Sequence, residues 1–356
     1  MVEGDLGNEY CADPVLNPLR VSFALANLEL QRPIRFGQFV IRPLGIKGIR
    51  RHEEPGRSWE LSARGVYVWR DPQPIRALEL YSRQRHTVDR LNLLLSFARG
   101  GYVPILDTWL ESRRGQDPCI KKGVTIRWAV PRGYSAIYDT DEQLETFMEQ
   151  AMSRFMDDNL TDRQALRGTL SGLVQAFDEV ATETQFLHAW LALESIVHHF
   201  GSSGYIISPN KFKRGVRRPV KRAIEEAAAA DSAIAEHQES MIKKIPELNR
   251  APITDAISRF FEAQGVHVDR AEIEALKRKR DTITHMGYAE KPPPNFTEDW
   301  YRDYRLRLAE ASWRLINLLR AALLQVLSDD PLRSELRKAF LPEMYAPNEN
   351  SSMSPA

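Results

Sequence analysis

The spacing of apolar residues changes near residue 139, and this change constrains the fold more than any other feature of the sequence. Residues 15–138 contain frequent proline and glycine, and their apolar side chains come in short runs bounded by turn-forming residues, as in strands. After residue 138 the apolar residues recur three or four positions apart, which predicts helices. The chain has 356 residues, and a single core usually stops growing at about 250–300 residues. We therefore predict an α+β protein with domains at 1–138 and 139–345 and a disordered tail at 346–356.

Strands are predicted where the short apolar runs are rich in β-branched and aromatic residues. These predicted strands are residues 21–30, 39–44, 59–69 and 124–130. One helix is predicted over residues 88–98, where apolar side chains share a face and Gly100 supplies the stop signal. The N-terminal domain is therefore expected to be β-rich.

The helical half begins with Asp-Thr-Asp-Glu at residues 139–142, which is typical of a capped and acidic first turn. Apolar residues cover more than one stripe of the predicted helix 182–200, so we expect it at the centre of an antiparallel bundle. Helix 270–286 has few large apolar side chains, which leaves surface for a site or a partner. The predicted helices are residues 141–157, 161–179, 182–200, 219–245, 252–264, 270–286, 298–327 and 331–340.

The composition excludes several classes of function. The net charge is +1, so any attraction for nucleic acid must come from local clusters of cations. The two cysteines, Cys11 and Cys119, have no CxxC spacing, and no P-loop, dinucleotide fingerprint or serine-hydrolase elbow is present, so we expect no metal and no cofactor. The start lacks a signal-peptide pattern, and the apolar stretch 315–327 is short and interrupted by Arg320. We therefore expect a cytoplasmic protein that does not interact with membranes.

The most informative stretch lies on the sparsely apolar helix 270–286. Four consecutive basic residues are followed by a histidine in the last turn, just before Gly287, a predicted C-cap. The residues concerned are Lys277, Arg278, Lys279, Arg280 and His285. One interpretation is structural: the histidine favours the helix dipole and the basic run is a solvated face. The other interpretation is a site for a phosphate.

Helix geometry separates the two residues of greatest interest. At about 100° per residue, His285 lies about 20° from Arg278 and about 40° from Asp281 around the axis, but about 140° from Arg280. Asp281 is therefore expected to hydrogen-bond and orient the imidazole. Arg280 and His285 can converge only if the arginine curls across, the helix end distorts, or a second subunit supplies one of them.

The segment Arg-Asp-Thr-Ile-Thr-His at residues 280–285 resembles the signature of HEPN-domain ribonucleases: an arginine, commonly a polar residue, and a histidine after four to six intervening positions. The segment Trp-Leu-Ala-Leu-Glu at residues 190–194 resembles part of the second bundle helix of the ApeA-like branch, where a glycine often follows the histidine, as Gly287 does here. The resemblance covers residues 159–327, with 202–268 as a long helical insertion.

This resemblance implies metal-independent cleavage of RNA, with tRNA as one candidate, at a site shared between the bundles of a homodimer. His285 would act as general acid or base, and Asp281 would orient its imidazole. Arg280 would bind the phosphate, and Arg278 would be a further phosphate contact beside Lys277 and Lys279. It also suggests a bacterial antiviral-defence or toxin effector whose N-terminal domain senses a phage- or stress-derived trigger or restrains the bundle. The alternative is a non-catalytic HEPN-like module for dimerisation or partner binding.

Three further polar features lie outside this motif. The stretch 211–222 is predicted to be a basic loop that either binds the RNA backbone or is a solvated linker; its cations include Lys211, Lys213, Arg214, Arg217 and Arg218. Glu194 is expected either to support the shared site or to pair with cations of the insertion. The histidines at 188, 198 and 199 lack a metal-binding spacing, so hydrogen-bonded core positions are expected for them.

Overall fold

The described strands all lie within residues 15–123, and all but one of the described helices begin at residue 141 or later, so the predicted α+β class is confirmed. The computed structural model describes residues 15–16, 19–44, 50–54, 57–68, 75–112, 120–123, 136–156, 160–179, 181–200 and 205–328. The predicted strand 124–130, the predicted helix 331–340, the tail and both cysteines lie outside these residues.

The strands pair antiparallel throughout the described regions. They are β1 (Val15–Leu16), β2 (Leu19–Ala26), β3 (Ile34–Phe36), β4 (Phe39–Pro43), β5 (Arg50–Glu54), β6 (Arg57–Val68), β7 (Ile75–Arg76), β8 (Ile105–Ser112) and β9 (Ile120–Gly123). The main sheet has the order β3-β4-β6-β2-β8-β9, and β5 pairs with part of β6. β1 and β7 form a separate pair. The predicted strand 21–30 ends early, at Ala26, while β8 was not predicted.

A glycine fixes the packing at the centre of this sheet. Phe23 of β2 lies opposite Gly65 of β6 in the register, and the Phe23 ring is fully buried. A Cβ at Gly65 would lie 1.9 Å from Phe23 Cε2. The ring therefore occupies the space that any other residue at position 65 would need.

The described part of the chain contains ten α-helices. They are α1 (Ala77–Arg99), α2 (Asp141–Met156), α3 (Leu160–Asp178), α4 (Thr182–Phe200), α5 (Pro209–Phe212), α6 (Arg218–Ala230), α7 (Ser232–Lys244), α8 (Ile253–Ala263), α9 (Arg270–Met286) and α10 (Glu298–Leu327). The bounds of α4, α9 and α10 agree with the prediction to the residue. None of the helices in the described regions is both long enough and apolar enough to cross a membrane.

Three predictions about helices were wrong. The helix expected over 219–245 is divided at Asp231, whose backbone is extended and whose side chain accepts a hydrogen bond from the Ala233 amide, so an N-cap interrupts the run. The stretch 211–222 is helical rather than a loop, because a π-helical turn at Lys213–Arg217 joins α5 to α6. α1 begins eleven residues before the predicted start at residue 88.

The sheet and the helices share one contiguous cluster of buried side chains. At their junction, Asp141 at the start of α2 is buried. Its Oδ2 accepts hydrogen bonds from the amides of Gln31 and Arg32, at 2.7 and 2.8 Å. This carboxylate therefore ties the turn before β3 to the helical half. Whether residues 1–138 and 139–345 are independent domains stays a prediction.

Helix α4 lies against α3 along much of its length. The pair is antiparallel, since Gly168 approaches Ser195 while Gly172 approaches Ala192. A Cβ at Gly172 would lie 3.0 Å from that of Ala192, so the small residues permit close packing. α4 also contacts α10, α8 and α9, and its apolar side chains Phe186, Trp190 and Leu193 are buried. The central position predicted for this helix is confirmed.

Candidate functional site

Helix α9 has the capped end that its sequence predicted. Gly287 adopts a φ of +79°, and its amide donates to the Ile283 carbonyl at 2.8 Å. A left-handed backbone of this kind favours glycine. Ile273, Leu276 and Ile283 are the buried side chains of α9, so most of its polar side chains remain at or near the surface.

The guanidinium of Arg280 points toward α4. Its Nη2 donates to Glu194 Oε1 at 2.6 Å, and its Nη1 lies 2.8 Å from Asp281 Oδ1. The same Glu194 oxygen accepts a hydrogen bond from Trp190 Nε1 at 2.7 Å. Arg280 Cζ lies 5.5 Å from the centroid of the Trp190 ring. One aromatic ring and two carboxylates therefore fix the guanidinium.

The burial of this cluster makes its orientation stable. The Trp190 side chain is 1% exposed, whereas those of Arg280 and Glu194 are 27% and 23% exposed. Arg280 Nε is buried, and within the described part of the chain it has no hydrogen-bond partner. Glu194 thus contacts the candidate catalytic arginine and not the cations of the insertion.

His285 lies on the exposed side of α9, one turn beyond Asp281. Among the described residues it forms no hydrogen bond and no ion pair, so the expected bond to Asp281 is absent. Asp281 instead lies 2.6 Å from Lys277 Nζ through Oδ2, while its Oδ1 pairs with Arg280. The two neighbouring cations attract the carboxylate more strongly than an imidazole does. Asp281 therefore orients Arg280, while His285 remains open to solvent.

The other basic residues of α9 diverge. Arg278 is exposed, as His285 is. Lys279 Nζ lies 3.2 Å from Glu290 Oε1, and Glu290 Oε2 is 2.8 Å from Arg307 of α10. The hydrogen bond from Arg307, and then that from Lys279, hold the pKa of the Glu290 carboxyl below its ordinary value, although partial burial opposes this. Lys279 is therefore engaged in connecting α9 to α10.

The cations of the insertion lie apart from the Arg280 cluster along the chain, at α5, the π-helical turn and the start of α6. Lys211, Lys213, Arg214, Arg217 and Arg218 are all exposed. Two of these arginines and Arg222 line a groove of about 580 Å³ together with Glu226. α6 and α7 bury none of their side chains. The helical insertion thus presents an exposed basic surface.

Hydrogen-bonded core positions were predicted for the histidines of α4, and this prediction is wrong for His198. His199 hydrogen-bonds Asp162 of α3, as a structural residue does. His198 is exposed instead and lines a cavity with Glu194, Tyr205 and Arg250. Tyr205 and Arg250 carried no recognisable sequence signal, because each lies outside a helix and only the bridge between them brings Arg250, which is distant in the chain, close to the end of α4. The described residues contain no group of three or more histidine, cysteine, aspartate or glutamate side chains arranged to hold a metal ion.

No model of a protein family, no curated protein and no solved structure matches the chain.

Proposed function

We propose that the chain is a HEPN-type endoribonuclease that cleaves RNA without a metal ion. The observation that supports this most is the placement of the motif residues. Arg280 is held by Glu194, Asp281 and Trp190, while His285 is exposed on the same helix, just before its glycine cap. A fixed guanidinium and an imidazole free to exchange protons are the two groups that this chemistry requires.

The guanidinium has donors left for a phosphate. Of its five N–H groups, one points to Glu194 and one to Asp281, and the Nε–H is buried. Each terminal nitrogen therefore retains one N–H, and the side chain is 27% exposed. These two donors fork onto the non-bridging oxygens and stabilise the charge that develops on them in the transition state.

The reaction is an internal transfer that needs no other reactant. His285 removes the proton of the ribose 2′-hydroxyl, and the 2′-oxygen forms a bond to the adjacent phosphorus. The bond from phosphorus to the 5′-oxygen breaks, and that oxygen takes a proton from water. The hydroxide that remains recovers a proton from the imidazolium. The products are a 2′,3′-cyclic phosphate and a 5′-hydroxyl.

The active site is composite, with Arg280 from one protomer and His285 from the other. Within one straight helix these side chains project about 140° apart, and in the structure Arg280 points toward α4 while His285 faces solvent. A homodimer overcomes this separation. Several large apolar side chains near α4, α9 and α10 are exposed and available for such an interface: Leu191, Met286, Leu306 and Trp313. Activity should therefore fall on dilution to monomers.

The biological setting is that of a bacterial antiviral-defence or toxin effector, with the β-rich N-terminal half as the regulatory part. The Asp141 bonds to the turn before β3 provide a route for regulation. Through this contact, a phage- or stress-derived trigger bound by the sheet acts on the position of α2. The basic surface of the insertion contacts the RNA backbone.

The test is cleavage of total tRNA by the full chain in EDTA, with identification of the product ends. Arg280→Ala and His285→Ala are expected to abolish cleavage, since each removes a group that acts on the reacting atoms. Arg259→Ala and His267→Ala are matched controls, because both side chains are exposed outside the motif; cleavage by these variants should match that of the wild type.

A non-catalytic dimerisation module is the second candidate, and the exposed apolar side chains favour it equally. In that case the wild-type protein forms dimers but cleaves no RNA, and the Arg280→Ala and His285→Ala variants show no change in any assay except partner binding. Cleavage that His285→Ala retains in full would also contradict the ribonuclease proposal.

A further inference from the structure

A cavity with polar and apolar lining is bounded on one side by Glu194, the partner of Arg280. It has a volume of about 520 Å³ and is partly open to solvent. Small-molecule sites in proteins are typically about 300–1,000 Å³, so the cavity has room for one nucleotide. Its polar lining consists of Glu194, His198, Tyr205 and Arg250, and its apolar lining includes Val197 and Ile253.

A buried asparagine fixes two walls of this cavity. Asn249 is 3% exposed; its Oδ1 accepts from the Ile207 amide at 3.0 Å, and its Nδ2 donates to the Ile207 carbonyl at 2.8 Å. The Ile206 amide also donates to the Asn249 carbonyl. These bonds hold Tyr205 and Arg250 opposite each other in an antiparallel bridge. Directly opposed residues project their side chains to the same side.

Three of the polar groups are available to a ligand. The side chains of His198, Tyr205 and Arg250 form no hydrogen bond with any residue in the described part of the chain, and both Tyr205 and Arg250 are exposed. Glu194 uses Oε1 for both of its partners, and its Oε2 accepts no bond from described residues. The cavity thus offers a ligand the guanidinium of Arg250 and the imidazole of His198. It also offers the aromatic ring of Tyr205 and one carboxylate oxygen of Glu194.

We propose that this cavity binds one nucleotide of single-stranded RNA next to the scissile phosphate. The guanidinium of Arg250 and the imidazole of His198 bind the phosphate. The base lies against the ring of Tyr205, since aromatic side chains stack unpaired bases, and donates an N–H to Glu194 Oε2. Because the Glu194 carboxylate repels a phosphate, the phosphate binds at Arg250 and His198 and the base at Glu194. This arrangement fixes the direction in which the RNA strand passes through the cavity. The nature of the ligand as RNA rests on the ribonuclease function proposed above.

The test measures binding of a fluorescein-labelled 2′-O-methyl oligonucleotide by anisotropy in EDTA. This probe lacks the attacking hydroxyl, so binding is measured without cleavage. Arg250→Ala should weaken binding about tenfold or more, because it removes a charge-assisted hydrogen bond. Tyr205→Ala should weaken it about fivefold to a hundredfold by loss of stacking, and Tyr205→Phe should restore it. The matched control is Arg259→Ala on α8, whose exposed side chain is not part of the cavity lining.

The outcomes separate this proposal from the ribonuclease function. If the wild-type protein binds the probe through Arg250 and Tyr205 but cleaves no RNA, the cavity proposal stands and the ribonuclease proposal fails. If the protein cleaves unmodified RNA while Arg250→Ala and Tyr205→Ala bind the probe as tightly as the wild type, the cavity proposal is overturned alone. A wild-type protein that binds no probe overturns it as well. Circular dichroism of each variant verifies folding.

Discussion

Removal of the Glu194 carboxylate should destabilise the protein through its coupling to Arg280. The oxygen and nitrogen are 2.6 Å apart, and the charge centres are separated by about 4 Å, which at an effective dielectric constant of about 20 corresponds to about 4 kcal/mol. Each side chain is about one quarter exposed, so solvent screening reduces this value. We expect a coupling free energy of about 1–2 kcal/mol.

The two substitutions at position 194 should differ. Glu194→Gln retains an oxygen that accepts from Trp190 Nε1, so it loses the charge interaction alone. Glu194→Ala also leaves the indole N–H of the buried Trp190 without its acceptor. An unsatisfied buried donor costs about 1–3 kcal/mol. The alanine variant should therefore be less stable than the glutamine variant by about this amount.

A double-mutant cycle isolates the coupling. The free energies of unfolding of the wild type, Glu194→Ala, Arg280→Ala and the double variant are measured by urea denaturation with tryptophan fluorescence and circular dichroism. The control cycle uses Arg270 and Glu274, a pair on the same helix whose side chains are 65% and 43% exposed; its coupling should be about 0.3–0.5 kcal/mol. Additive effects of Glu194 and Arg280, within about 0.3 kcal/mol, would refute the reasoning.

Three further predictions concern the framework of the site. Gly65→Ala should lower the free energy of unfolding by about 1–3 kcal/mol, because its methyl group would clash with Phe23; unchanged urea stability would contradict this packing. Asp141→Ala should cost about 2–4 kcal/mol, since two amides lose a charged acceptor, and a thermal melt that matches the wild type would disprove the role of this carboxylate. Glu290 has a pKa below its ordinary value, chiefly through Arg307, so its stabilisation is present at neutral pH and lost as the pH falls below about 4.3. Glu290→Gln should therefore have a free energy of unfolding below that of the wild type at pH 7, by less than about 1 kcal/mol, and this difference should shrink as the pH falls through the lowered pKa of Glu290; a difference that stays constant with pH would show that the charge is not responsible.

The helices that carry the motif were predictable because their signals are local. Asp269 and Gly287 delimit α9, and Thr297, whose side chain accepts from the Trp300 amide, starts α10. These cap residues are recognisable within a few residues of sequence. The break at Asp231 was missed because alanine-rich sequence on either side favours helix, and the local cap outweighs that preference.

The features that were missed depend on distant contacts. β8 is defined by its pairing with β2 and β9, which no local pattern encodes. Helical geometry predicted that Arg280 and His285 project apart, but it could not identify the partner of Arg280, because Glu194 is 86 residues away. At the cavity beside this pair, a single bridge between loops brings Tyr205 and Arg250 together. Such contacts arise only after the helices pack.

Subunit mixing provides the most direct test of the composite site. Arg280→Ala and His285→Ala homodimers, each inactive alone, are unfolded together, refolded and assayed on tRNA in EDTA. Half of the dimers in a random mixture are heterodimers, and each contains one intact site of two, so cleavage should return to about a quarter of the wild-type rate. A mixture that contains heterodimers yet remains as inactive as its parents would contradict the claim that Arg280 and His285 act across the dimer.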